Sequence, residues 1–202
     1  MEIFYLNKKE FLETVNIQSL MKFSDGREYK SEDKLVEHLC GLFLTKFLAK
    51  NVYNIENTDI ELVGKKPYFT NRKLYFSISH SNDIVLVAFN KTDIGADVEY
   101  MQNRDFGRVM SRYGNPVNCE SKIDFYKFWT KHEAQIKLGT AQKSGLTIFL
   151  NQDYIVSCAC EDVMITNLSI KEVVFKGMDV DLEQEFNSPT KFQVNIEATS
   201  LQ

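Results

Sequence analysis

Apolar residues recur at helical spacing through SEDKLVEHLCGLFLTKFLAKN. Leu35, Val36, Leu39, Cys40, Leu42, Phe43 and Phe47 make one broad apolar face, which predicts a helix packed into a core. Ser31 is placed to cap its start, and Glu32 and Asp33 suit the positive end of its dipole. The period then becomes that of a strand. In LYFSIS, Leu74, Phe76 and Ile78 alternate with Tyr75, Ser77 and Ser79. Ser81-Asn82-Asp83 supplies turn chemistry, and Ile84–Phe89 is apolar at every position, as in a central strand. Lys91-Thr92-Asp93 turns again before Ile94–Tyr100. Three strands joined by short turns predict an antiparallel meander.

Residues 101–121 carry Gly107, Gly114, Asn115 and Pro116 and are expected to be irregular, crossing from one half of the molecule to the other. A second helix is predicted over Lys122–Leu138, ended by Gly139, a residue suited to the position just past a helix. β-like runs follow: LTIFL, YIVSC, VMITNLSI, EVVFK and FQVNI. The order helix, strands, helix, strands predicts an α+β fold and suggests two similar lobes. No sequence repeat marks a duplication.

Composition narrows the setting. The chain has 202 residues, 44% hydrophobic and 26% charged, enough to bury a core in one domain or in two small lobes sharing an interface. No apolar run approaches the roughly 20 residues of a membrane span, and MEIFYLNKKEF lacks the basic-then-apolar order of a secretory leader. Cys40, Cys119, Cys158 and Cys160 lack the paired spacing of a zinc site. Cys158 and Cys160 flank Ala159 in a β-like run and are expected to be small buried thiols on one strand face. A reducing cytoplasm is the expected location. The formal net charge of −4 argues against general nucleic-acid binding, because no broad basic field is present. A local phosphate site needs only a few placed cations.

Three constellations could carry chemistry. In GADVE, Asp97 and Glu99 lie two apart and so share a strand face, while Val98 faces the core. Two carboxylates at that spacing can reach one hard cation such as magnesium, or can form an ordinary solvated face. In FYKFWTKHEAQIKLG, Trp129, Glu133 and Lys137 follow at i, i+4 and i+8 and line up on a helix. They could add a third acid and a phosphate-neutralising lysine, or be an amphipathic helix with a Glu–Lys pair. In SISHS, His80 ends a strand between two hydroxyls, as a phosphate donor or as a polar surface residue. His38, on the first helix, reads as structural.

Taken in order, GKKP, SISHS, IGADVE and WTKHEAxxK resemble the Sfp-type 4′-phosphopantetheinyl transferase family. The resemblance runs from about Arg27 to Leu146 and is strongest over Gly64–Glu99 and Phe125–Gly139. It implies a pseudo-twofold fold of two similar lobes, residues 1–100 and 101–202, each a small antiparallel sheet on a long helix, with the active site between them. It implies that Asp97, Glu99 and Glu133 bind magnesium. It further implies that His80 with Ser79, Lys137, Lys66 and, more loosely, Arg27 and Lys30 contact coenzyme A. Two departures stand out. His132 occupies the position of a lysine that usually precedes the glutamate and contacts coenzyme A, and RYGNPVNCE replaces a phenylalanine-serine stretch, with Glu120 as its remnant.

The implied reaction is attack by a serine hydroxyl of an apo acyl or peptidyl carrier protein on the β-phosphate of coenzyme A, releasing adenosine 3′,5′-bisphosphate. Glu133, or a water it orients, is the expected base. The enzyme is expected to be a monomer, with no nucleic acid or membrane among its partners. The alternatives are a homologue that binds coenzyme A or a carrier protein without turnover, and a metal-dependent phosphohydrolase using the same acids.

Overall fold

The computed structural model describes residues 1–103, 105–113, 120–140, 144–162, 165, 168–177 and 180–196. The chain runs β1 (Glu2–Asn7), α1 (Lys8–Thr14), α2 (Ile17–Leu20), a short 3-10 turn, α3 (Glu32–Asn51), β2 (Ile60–Val63), β3 (Lys66–Phe69), β4 (Tyr75–Ser81), β5 (Ile84–Asn90) and β6 (Ile94–Tyr100). It continues through α4 (Gly107–Arg112), α5 (Lys122–Leu138), β7 (Ser144–Phe149), β8 (Tyr154–Cys160), β9 (Ser169–Phe175), α6 (Leu182–Asn187) and β10 (Phe192–Ile196).

Both long helices start and stop where the sequence chemistry says they should. The Ser31 side chain accepts from the Lys34 amide at the start of α3. Ser121 and Asp124 form a reciprocal capping box on α5, and Gly139 ends it in the left-handed region at φ 75°. Helix α4 replaces part of the irregularity expected over 101–121; Met110 is its buried anchor.

The strands form a five-stranded sheet in the order β10-β9-β1-β5-β4, a three-stranded sheet β6-β8-β7, and the hairpin β2-β3. The expected meander therefore stops after β4-β5. The reason is edge occupancy: β1 pairs antiparallel along one side of β5 and β4 along the other, so β5 has no edge to offer β6. Strand β6 pairs with β8 instead. The SI of VMITNLSI and the run EVVFK fall in one continuous strand, β9, apart from Lys176. Val163, Met164, Thr166 and Asn167 lie outside the described residues, as does Cys119. Two stretches share one topology. In β1-α3-β4-β5 and in β6-α5-β7-β8, a strand, a long helix and a hairpin close an antiparallel sheet with the last strand in the middle.

Side-chain alternation sorts the layers. Val85, Val87 and Phe89 of β5 join Phe4, Phe43, Phe47 and Phe76 in a core beneath α3. Leu86 and Ala88 face the other way, packing with Ile3, Ala96, Val98, Val156 and Cys158 between the two sheets. This explains why β5 is apolar at every position: it is covered on both faces. Cys40, Cys158 and Cys160 are buried free thiols. Among the described residues, no helix is long and apolar enough to cross a membrane.

The seam between β4 and β6 is made by side chains. The hydroxyls of Ser77, Ser79 and Ser81 accept from the amides of Ala96, Val98 and Tyr100 at 2.9, 3.1 and 3.0 Å. Every second residue of β4 thus satisfies an edge amide of β6 that would otherwise be stranded in the interior. The intervening residues Phe76 and Ile78 turn toward the α3 core.

Candidate functional site

The seam delivers β6 with Gly95, Asp97 and Glu99 on the face that meets α5. Gly95 sets the distance: a Cβ there would fall 2.0 Å from the Ala134 carbonyl oxygen and 2.4 Å from the Leu138 nitrogen. Only glycine allows this approach. With the helix so close, its i, i+4, i+8 face lies over the two acids. The Trp129 indole donates to Glu99 Oε1 at 3.1 Å, and the Lys137 ammonium donates to Asp97 Oδ1 at 2.8 Å. Glu133 lies on the helix between these two contacts, one turn from each.

Asp97 is 5% exposed. Its Oδ1 also accepts from Ser79 at 2.9 Å, while its Oδ2 is buried with no hydrogen-bond partner among the described residues. Glu99 accepts from Ser81 at 3.1 Å through its other oxygen. A buried carboxylate oxygen without a donor, beside a second acid, fits a hard cation. The third acid is not gathered in: among the described residues, no three His, Cys, Asp or Glu side chains stand together as a metal-binding group.

Beside this pair, α3, β3, β4 and α5 enclose a cavity of about 300 Å³. Arg27, His38, Lys65, Lys66, Ser77, His80 and Lys137 line it, with Leu42, Pro67, Phe76, Ile78 and Ile136 as apolar walls and, among the described residues, no acidic side chain on the lining. The charged side chains on this lining are basic, with Arg27, Lys66 and Lys137 each paired to an aspartate (Asp25, Asp93 and Asp97), and such a lining suits an anionic ligand with an apolar part. Lys137 connects the two features, since it both lines the cavity and bonds Asp97.

The residues singled out from the sequence fare differently. Arg27, Lys66, His80 and Lys137 meet around the cavity, though they come from the α2–α3 connection and three separate elements. Lys66 is already engaged: its ammonium bonds the carbonyls of Ile94 at 3.0 Å and Leu138 at 2.8 Å and pairs with Asp93. Burial lowers its pKa, against the opposing pull of Asp93. Ser79 is fully used, donating to Asp97 while accepting from Val98 and Lys137. Lys30 is exposed and is not among the cavity residues. His132 also lies elsewhere. Its ring packs edge-on to Tyr113 at 4.8 Å and stacks with Phe128 at 5.9 Å, on the outer side of α5. Glu120 is exposed just before the α5 cap.

Three features escaped sequence reasoning. His38 lines the cavity, its ring tilted against Tyr29 at 4.7 Å and 3.1 Å from Asp25, with its pKa lowered by burial although Asp25 opposes the shift. Lys65, next to Lys66 in GKKP, lines it too. Glu37 is a buried carboxylate that gathers Lys8, Lys34 and His80. Its only sequence signal was an acid on an otherwise apolar helix face.

No family model matches the chain. A protein of Haemophilus influenzae named "Putative 4'-phosphopantetheinyl transferase" is 29% identical over 110 residues. That match covers 47% of this chain and 47% of the relative, so the chain spans about half of that protein's length. The chain is thus similar, over about half its length, to a protein named for the chemistry that its motifs resemble.

Proposed function

We propose that the chain is an Sfp-type 4′-phosphopantetheinyl transferase that moves the phosphopantetheine arm of coenzyme A to a serine of an apo acyl or peptidyl carrier protein. The observation that carries this reading is the unpartnered, buried Oδ2 of Asp97 next to Glu99, joined through Lys137 to a cavity whose charged lining residues are basic. In this reading the two stretches of equal topology are its two lobes. In that reading β6 through β8 make the second lobe, and β9 and β10 return to the sheet of the first, beside β1. A cytoplasmic monomer is part of the same proposal.

Asp97 and Glu99 would hold magnesium, with Glu133 offering a third carboxylate from α5. Bound there, the ion supplies charge stabilisation at the pyrophosphate. The protein's own groups do the rest. Arg27, Lys65, His80 and Lys137 neutralise phosphate oxygens, and Lys66 holds the cavity wall by tying β3 to the ends of β6 and α5. The apolar walls take the uncharged part of the ligand. The carrier serine oxygen forms a bond to the β-phosphorus. The bond from that phosphorus to the adenosine bisphosphate oxygen breaks, and its electron pair leaves with the bisphosphate. Glu133 accepts the serine proton at its carboxylate.

The test is to incubate the protein with magnesium, coenzyme A and a panel of apo carriers and to read the carriers' intact mass. A phosphopantetheine adduct that disappears with Asp97→Asn is expected. Bound coenzyme A with no adduct on any carrier would favour a non-catalytic homologue. Release of pantetheine phosphate without a carrier would favour a phosphohydrolase.

A further inference from the structure

Glu37 lies on the buried side of α3 at 7% exposure, an unusual place for a carboxylate. Three basic groups converge on it. Lys8 at the start of α1 lies 3.0 Å from Oε1, Lys34 lies 2.7 Å from Oε2, and the His80 Nδ1 lies 3.1 Å from Oε2. Burial works against ionisation, yet the hydrogen bonds from Lys34 and Lys8 hold the acid below the usual carboxylate range. Glu37 is therefore an anion tied to one end of the His80 ring. The other ring nitrogen, Nε2, belongs to a residue that lines the basic cavity.

We propose that Glu37 is a positioning residue for His80: it fixes the imidazole through Nδ1, so that Nε2 is presented to a phosphate group in the cavity and takes up a proton as that group binds. The proposal rests on the nucleotide-binding reading of the cavity. The groups that face the ring are Glu37 and Lys34 on α3, Lys8 on α1 and Lys137 on α5, with Arg27, His38, Lys65 and Lys66 around the same cavity. Burial lowers the His80 pKa, Glu37 raises it, and Lys34, Lys137 and Lys8 lower it further. In the proposal the neutral ring keeps its proton on Nδ1, toward the Glu37 carboxylate 3.1 Å away, and turns the lone pair of Nε2 to the cavity. A phosphate brings negative charge to that lone pair, where only an imidazolium can donate. Glu37 then stabilises the imidazolium from behind, as a carboxylate orients a histidine elsewhere in protein chemistry.

Electrostatics alone makes the opposite prediction. Removing the Glu37 charge leaves Lys8 and Lys34 unopposed beside the cavity, which should tighten anion binding. Binding of adenosine 3′,5′-bisphosphate, measured by calorimetry in two buffers of different ionisation enthalpy, separates the two. The wild-type protein is expected to take up part of a proton on binding. Glu37→Leu should weaken binding about tenfold, the scale of one charge-assisted hydrogen bond, and remove the uptake. Glu37→Gln, whose amide N–H can donate to Nδ1 and so leave the ring's one proton on Nε2 for the phosphate, should restore most of the affinity but not the uptake. The double variant Glu37→Leu/His80→Gln should bind no more weakly than His80→Gln alone. Unchanged or tighter binding by Glu37→Leu, or losses that multiply in the double variant, would overturn the proposal. If Glu37→Leu does not fold, undiminished proton uptake in Glu37→Gln overturns it equally. A wild-type protein that binds no bisphosphate would instead fell the nucleotide reading, and the role of Glu37 with it.

Discussion

Replacing Gly95 by alanine tests how closely α5 must lie on β6. The added Cβ would stand 2.0 Å from the Ala134 carbonyl oxygen, 2.4 Å from the Leu138 nitrogen and 3.0 Å from the Leu138 Cα. All three are helix backbone, so no rotamer change relieves the overlap. Restoring an ordinary contact requires α5 and β6 to separate by roughly 1.4 Å at that point. Overpacking of this kind costs about 2–3 kcal/mol, which for a chain of this size lowers Tm by roughly 4–12 °C. The same displacement carries Trp129, Glu133 and Lys137 away from Glu99 and Asp97. A misplacement of about 1 Å can cost about 100-fold in rate, so transfer should fall by about that factor. Thermal denaturation by circular dichroism and the rate of carrier modification check both numbers. Gly139→Ala is the control: Gly139 also has a demanding backbone, at φ 75°, but open space where its Cβ would go. It should cost only about 1 kcal/mol and leave transfer intact. A Gly95→Ala protein that melts like wild type and keeps its rate would refute the argument that this contact sets the site.

Other outcomes follow from single contacts. Ser79→Ala strands the buried Val98 amide and removes a donor from Asp97, so it should cost about 1–3 kcal/mol in urea unfolding. Ser81→Ala, on a more exposed part of the seam, should cost less, and the reverse order would count against the serine seam. His132→Lys should change bisphosphate affinity by less than about twofold, because His132 packs against Tyr113 and Phe128 rather than lining the cavity. A shift of about tenfold in calorimetry would return it to the site. Burial pushes the Cys40 and Cys158 thiols up to about 12. Both should resist a disulfide reagent at pH 8 in the folded protein and react once it is unfolded, as peptide mapping can show.

The mixed α and β character and the two long helices were legible because they are local. Ser31, Ser121, Asp124 and Gly139 cap their own helices, and the apolar period of α3 needs no distant partner to be read. The β4-β5 hairpin was legible for the same reason, with Asn82 in the left-handed region at its turn. That β6 joins β8 was not, because strand partnership depends on which edges are free. Here β1 claims the remaining edge of β5 from the far end of the stretch.

The candidate site divides along the same line. D-x-E places Asp97 and Glu99 on one face by strand geometry alone, and W-x-x-x-E-x-x-x-K aligns Trp129, Glu133 and Lys137 by helix geometry alone. The sequence by itself therefore determined the two faces on which the candidate site residues lie. Only the tertiary structure decided that Gly95 brings those faces together, that Lys137 bonds Asp97, and that His132 points away. It alone brought His38 to the cavity and Glu37 against His80. Those outcomes depend on contacts between residues tens of positions apart, and no periodicity within one segment encodes them.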